Sequence, residues 1–386
     1  MHPSVVRQIH ASRIFHAIRL YPFMSQREIA ERVEADKSTV SAIVREFEAS
    51  GLVERTRGPG TGPGRPGERI SLSPHGGLLI GVHPRPSEIR FVAAGLDGNP
   101  LGTLSRPMPS AAADLSQAVS LGIQDLTGEI GRRPMDIRAI GVSISGLVDT
   151  EGHLAQSPNL GWHDVPLRKL LRKTVKHPLY IGNNSNSAAI AEQMFGHGTE
   201  TDNFLYVESG SGVGGGLILD GSLYRGAAGF SGEIGHIKVV PGGRPCRCGS
   251  SGCLSAYVAD HAILRQLQHD GVDIHTPAEI LARAEAGDKV TLATLEEAGN
   301  HLGLALANLV NLLNPPLIVL GGGLARFAPH IMPSLRQTLS AMSMPAPLRA
   351  CSIEVSTVSL EPIPRGGIAL ALEGCTSLAA SEDTPW

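Results

Sequence analysis

Between Gly226 and Tyr257 the chain reads GAAGFSGEIGHIKVVPGGRPCRCGSSGCLSAY, and no other stretch limits the possible folds as strongly. It places His236, Cys246, Cys248 and Cys253 within eighteen residues. Its glycines and prolines argue against a helix or an unbroken strand. Three thiolates and one imidazole form the donor set of a closed tetrahedral zinc site, because four protein ligands leave no position for a catalytic water. The expectation is a structural zinc ion held by these four residues. Five cysteines in 386 residues are too few for a disulfide scaffold, and the clustering of three favours metal over disulfide. Reduced, unligated thiols are the alternative. Glu233 stands three residues before His236, so the metal would also fix a carboxylate.

A chain of this length exceeds one compact core and accommodates two or three units. No apolar run is long enough to span a bilayer and no signal-peptide pattern opens the sequence, so the expectation is a cytoplasmic protein without membrane contact. The formal charge of −3 says little by itself. Up to Ile70, however, eleven Lys and Arg face eight Asp and Glu, while the remainder is acidic. A mildly basic head on an acidic body fits a DNA-binding module joined to a second function.

The head spans residues 1–73. Val6, Ile9, Ile14, Ala17, Ile18 and Leu20 recur at helical spacing in a first helix that ends before Pro22. Ser25-Gln26-Arg27-Glu28 is a capping box opening a second helix. After the turn Glu34-Ala35-Asp36, Asp36 caps a third, which Gly51 stops. This is a helix-turn-helix whose third helix leaves Lys37, Ser38, Thr39, Ser41 and Arg45 for solvent. Small hydroxyls near the helix start permit close approach to base edges, and the cations reach phosphate or guanine. Residues 52–73 form a wing and linker, with Arg65 in its Gly/Pro tip available to a narrow minor groove. A linker with helices that merely cap the body is the alternative.

In the body, residues 74–386, apolar segments at 78–82 and 89–93 read as strands, followed by a helix near 113–130 and a strand at 137–144. A strand at 179–181 leads into Asn183-Asn184 and a helix ending at Phe195. A second series begins at Phe204, with the glycine-rich segment Ser209 to Gly216 read as a loop before a strand at 217–219. Helices near 259–268, 277–286 and 290–313 precede a strand at 317–320 and Gly321-Gly322-Gly323. Two such series suggest two α/β lobes with a cleft between them.

Gly232-Glu233-Ile234-Gly235-His236, the Cys246-x-Cys248-Gly249-x-x-Gly252-Cys253 run, Ser211 to Gly216, Asn183 to Glu192, and Asn314-Pro315 through Gly323 together resemble the ROK family of sugar kinases and sugar-responsive repressors. The resemblance implies an actin-like, two-lobed ATPase-type fold. Lobe one would comprise about 74–195 plus a C-terminal helix at about 366–386, and lobe two about 196–365 with the zinc loop 226–257. It further implies sugar contacts from Asn183, Asn184, Glu233 and His236, with Gly146 and Asn159 contributing from the other side.

Kinases of the family place an Asp where this chain has Asn184, and an amide is not basic at neutral pH. His83-Pro84-Arg85-Pro86-Ser87 stands where the first phosphate loop would lie, without its carboxylate or glycines. A Glu expected two residues after the last metal-ligand Cys is Ser255. A helix cap is the alternative role for Asn184. No catalytic residue and no ATP are therefore expected. The expected function is a DNA-binding transcriptional regulator, a repressor of a palindromic operator in double-stranded DNA, acting as a homodimer or homotetramer with a sugar or sugar derivative as effector. A sugar kinase with a DNA-binding appendage and a ligand-independent regulator are the alternatives.

Overall fold

The computed structural model describes residues 3–57, 68–358 and 365–376. The head begins with helices α1 (Pro3–Leu20), α2 (Gln26–Val33) and α3 (Lys37–Ala49) and ends in strands β1 (Val53–Arg57) and β2 (Glu68–Leu72). The capping box forms: the Glu28 amide donates to Ser25 Oγ at 3.3 Å, and the Ser25 amide donates to Glu28 Oε2 at 2.7 Å. Glu34 takes the left-handed conformation at φ +53° and turns the chain into Asp36, which caps α3 by accepting from the Thr39 amide at 2.8 Å. Phe15, Ile18, Ile29, Val40, Ile43 and Phe47 fill the core between the helices. β1 pairs antiparallel with β2 from Val53↔Leu72 to Arg57↔Glu68. Arg65 lies outside the described residues.

The body continues through β3 (Leu78–Pro84), β4 (Glu88–Ala94), β5 (Pro100–Pro107), α4 (Leu115–Glu129), β6 (Ile137–Ile144), β7 (Leu147–Val148), β8 (Leu154–Ser157), β9 (Trp162–Val165), α5 (Leu167–Leu171) and β10 (Leu179–Asn183). Next come α6 (Asn184–Phe195), β11 (Phe204–Ser209), β12 (Val213–Leu219), β13 (Ser222–Leu223), α7 (Ser255–Val258), α8 (Asp260–His269), α9 (Pro277–Glu285) and α10 (Lys289–Leu313). β14 (Leu317–Gly321), α11 (Gly322–Met342), α12 (Pro345–Arg349), β15 (Ser352–Val355) and α13 (Arg365–Thr376) complete it. Among the described residues, no helix is long and apolar enough to cross a membrane.

The chain divides into two compact units. The first holds the head, residues up to 143, residues 167–181 and α13. Its sheet has the order β10-β6-β3-β4-β5, with β6 parallel to β3 and with β4 and β5 antiparallel. α4 covers the face that carries Phe91, where Gly122 gives the ring room. α13 covers the other face, at Gly81 and Gly141: a Cβ on Gly141 would stand 2.0 Å from Gly367 O. β5 was not foreseen. None of its residues is buried and prolines bound it, so it carries the weak apolar signal of an edge strand.

The second unit holds residues 144–166 and 182–362, with the sheet order β13-β12-β11-β14-β15. The segment Ser209 to Gly216 departs from the expected loop: only Gly210–Gly212 turns, and Val213 to Gly216 already belong to β12. The glycines lie in a strand because other elements press on it. A Cβ on Gly214 would meet Ser185 Oγ at 2.2 Å, one on Gly215 would meet Ile234 Cδ1 at 2.2 Å, and one on Gly216 would meet Ala189 Cβ at 2.5 Å. The same contacts place α6 in this unit rather than with the first lobe as expected. α11 also went unforeseen, since Pro329 and Pro333 interrupt its helical signal.

Candidate functional site

The four metal-ligand candidates converge. Their ligand atoms lie within 4.8 Å of one another, with Cys248 Sγ 3.8 Å from Cys253 Sγ and Cys246 Sγ 3.9 Å from His236 Nδ1. Zinc–sulfur bonds of about 2.3 Å arranged tetrahedrally place sulfurs about 3.8 Å apart, so the spacing fits a soft four-coordinate ion. Burial pushes the Cys246 thiol up to about 11, so a full set of thiolates needs a cation among them. Gly252, at φ +72°, has no room for a side chain, because a Cβ would lie 1.8 Å from Val240 O. Arg244 anchors the loop to α10 through Glu297, with both carboxylate oxygens at 3.1 Å, and covers the Tyr257 ring at 4.6 Å. Lys238 Nζ donates to the sulfur of buried Cys253 at 2.9 Å.

His236 points its other nitrogen toward Glu233, Nε2 to Oε2 3.7 Å. Burial raises the Glu233 pKa and, with Lys238 nearby, lowers that of His236. Asn183, rather than Asn184, is the helix cap. Its Oδ1 accepts from the amides of Ser185 and Asn186 at 2.8 and 3.1 Å, and its Nδ2 donates to Gly146 O at 2.9 Å. Asn159 Nδ2 donates to Ser145 Oγ at 2.9 Å and Ser211 Oγ at 2.7 Å. Gly146, at φ +134°, has no space for a Cβ, which would stand 2.3 Å from Gln156 O.

Asn184 Nδ2 donates to Glu208 Oε1 at 3.2 Å. The same carboxylate accepts from Ser185 Oγ at 2.7 Å and Tyr206 Oη at 3.1 Å, and burial raises its pKa. Sequence reasoning missed Glu208. A carboxylate two residues before a glycine turn is out of place in a phosphate cradle, and that was the available signal. Two amides at the turn are also engaged: Gly210 N–H donates to Gly212 O at 2.8 Å, and Val213 N–H, just after the turn, donates to Ser255 Oγ at 3.2 Å. Ser255 therefore braces the turn. Asp260, its pKa raised by burial, accepts from Ser209 Oγ at 3.2 Å on the far side.

On the head, Lys37, Ser38 and Arg45 are exposed, and Thr39 and Ser41 are half-buried. Ser38 and Thr39 both give their hydroxyl protons to Asp36, the latter at 2.6 Å, and these bonds hold the Asp36 carboxyl below the usual range. The hydroxyl oxygens are left to accept from base amino groups. Arg45 Nε donates to Ser41 O at 3.3 Å, folding the guanidinium back along the helix.

The ROK family model matches residues 80–372, most of the chain. The chain belongs to the ROK family. A MarR family model matches residues 8–62, the winged head. The xylose repressor of Caldicellulosiruptor bescii is 28% identical over 392 residues, covering 97% of this chain and 98% of its own. The DNA-binding transcriptional dual regulator NagC of Escherichia coli K12 is 27% identical over 354 residues, covering 89% and 87%. A crystal structure of a ROK family transcriptional regulator, a homologue of the E. coli MLC protein, superposes with a TM-score of 0.82 at 23% identity over 96% of both chains. The fold is thus the actin-like ROK fold preceded by a winged helix-turn-helix, and both relatives named above are regulators of transcription.

Proposed function

We propose that this ROK protein is a repressor whose operator affinity is set by an unphosphorylated sugar, and that it has no kinase activity. The carrying observation is the placement of Glu208 and Asp260 on either side of the Gly210–Gly212 turn. Neither carboxyl supplies the amide or cationic donors that a kinase aims at polyphosphate, and the Gly210 and Val213 amides are already engaged in internal bonds. Asn184 points its N–H toward Glu208, which leaves its carbonyl to accept from a ligand hydroxyl without taking the proton.

Glu233 and His236 supply the charged half of the sugar contacts, joined by Asn183, Asn159 and the Gly146 loop. Zinc on His236 Nδ1 and the three cysteines would hold that half rigid, leaving Nε2 free for a hydroxyl. The head reads a palindromic operator through Lys37, Ser38, Thr39, Ser41 and Arg45, with Arg65 from the wing, as a cytoplasmic homodimer or homotetramer. The sugars in the names of relatives, xylose and, for the N-acetylglucosamine repressor of Escherichia coli O157:H7, N-acetylglucosamine, are the first candidates for the effector.

A thermal-shift panel tests the ligand assignment. Neutral pentoses and hexoses should raise the melting temperature while their phosphates and ATP do not, and a coupled assay should find no sugar-dependent ATP turnover. Stabilisation by ATP, or turnover on any sugar, sinks the reading.

A further inference from the structure

Arg138, near the start of β6, reaches from the body's sheet to the DNA-reading head. Its Nε donates to Gly76 O at 2.9 Å and its Nη2 to Ser50 O at 2.9 Å. Ser50 is the C-cap of α3, so its carbonyl lies among those the helix leaves without an internal partner, at the negative end of the dipole. A guanidinium satisfies it and favours that end. Its planar fork also spans two carbonyls at once, which the single ammonium of a lysine does less well. The crossing depends on glycine: a Cβ on Gly77, at φ +126°, would lie 2.4 Å from Arg138 Cγ. Beneath the guanidinium the linker is folded, with Gly76 N–H on Ser73 O and Ser73 N–H on Leu52 O, both at 2.9 Å.

From Arg138 to Ile144, β6 runs about 20 Å at the usual rise per residue, then passes directly into Ser145 and Gly146. Gly146 O is tied to Asn183, at the end of the same sheet's β10. A second tie joins head and sheet: His16 Nε2 on α1 lies 3.0 Å from Thr376 Oγ1 on α13, the helix packed against Gly141 of β6. A close-packed strand and helix of this kind move as a body rather than stretching.

We propose that Arg138 is a positioning residue of the DNA-binding head. It holds the C-terminal end of the recognition helix to the strand that carries the Ser145–Gly146 ligand loop, so displacement of that loop turns the helix. The sugar-responsive part rests on the function proposed above, and the experiment separates the two.

Arg138→Met keeps the stem over Gly77 and removes both donors, while Arg138→Lys keeps the charge. Hydrogen exchange of residues 145–149 is measured in the full-length protein with and without its own promoter DNA, alongside promoter affinity with and without D-xylose or N-acetylglucosamine. In wild type, DNA alters exchange of the loop. At promoter concentrations that saturate each protein, Arg138→Met should lose the DNA effect on the loop and any sugar effect beyond about twofold, with Arg138→Lys intermediate. A DNA effect on the loop as large in Arg138→Met as in wild type overturns the proposal, as does a wild-type loop indifferent to DNA. If no sugar shifts wild-type affinity, the effector assignment fails while the exchange comparison still decides the role of Arg138.

Discussion

The side chain that most changes the meaning of this site is Glu208, because it gives Asn184 a carboxyl partner within hydrogen-bond distance. Restoring the family's carboxylate through Asn184→Asp would place two carboxyl groups about one hydrogen bond apart, and such a pair shares a proton instead of supplying a free base. Asn184→Asp should therefore show no ATP turnover and should lose about 2 kcal/mol at pH 8, where the pair must either hold a proton against the solvent pH or carry two like charges, recovered by adding Glu208→Gln. Urea unfolding of the single and double variants measures this, and additive effects would refute the coupling. The convergence of His236, Cys246, Cys248 and Cys253 was legible because it lies in residue type and spacing alone. Glu208 and Ser255 were harder, since their roles depend on which backbone amides and hydroxyls the fold brings to them.

At the scale of elements, local chemistry and tertiary pressure divide the outcome. The capping box at Ser25 and the cap at Asp36 were written in the sequence, and the helices start where they dictate. β12 was not, because its glycines answer to α6 and Ile234 across the fold, contacts that no local pattern reveals. Gly214→Ala should cost about 2 kcal/mol, since the new methyl must displace Ser185 and with it one donor to Glu208. Calorimetry checks this, and a neutral result would mean that α6 is not pressed against the strand. In the cysteine loop, Cys248→Ser should abolish stoichiometric zinc in elemental analysis while the head, which belongs to the other compact unit, still binds DNA non-specifically. Full zinc content in that variant would reject the ligand set.

For the whole molecule, two half-buried histidines contribute to the response to acid. Burial holds His16 down to about 3 and His83 down to about 4, so at mild acidity the unfolded chain takes up protons that the folded chain refuses. Folding stability attributable to these groups is present above pH 6.5 and is lost as pH falls from there toward 4, at roughly 1 kcal/mol per pH unit for each. Glu208, Glu233 and Asp260 act in the opposite sense, as their raised pKa values favour the folded state at low pH. Between pH 7 and pH 5 the urea midpoint of a His83→Gln variant should therefore fall less, or rise more, than that of wild type.

The claim that joins head and body is that a sugar held by the ROK domain governs recognition of one DNA sequence. Anisotropy titrations of the full-length protein against its own promoter and a scrambled duplex, at several salt concentrations and with each neutral sugar, test it most directly. The account predicts at least about a hundredfold preference for the promoter, persisting as salt rises, and a change of about tenfold or more in that affinity with one sugar. Equal binding to both duplexes, or promoter affinity untouched by every sugar, would contradict it.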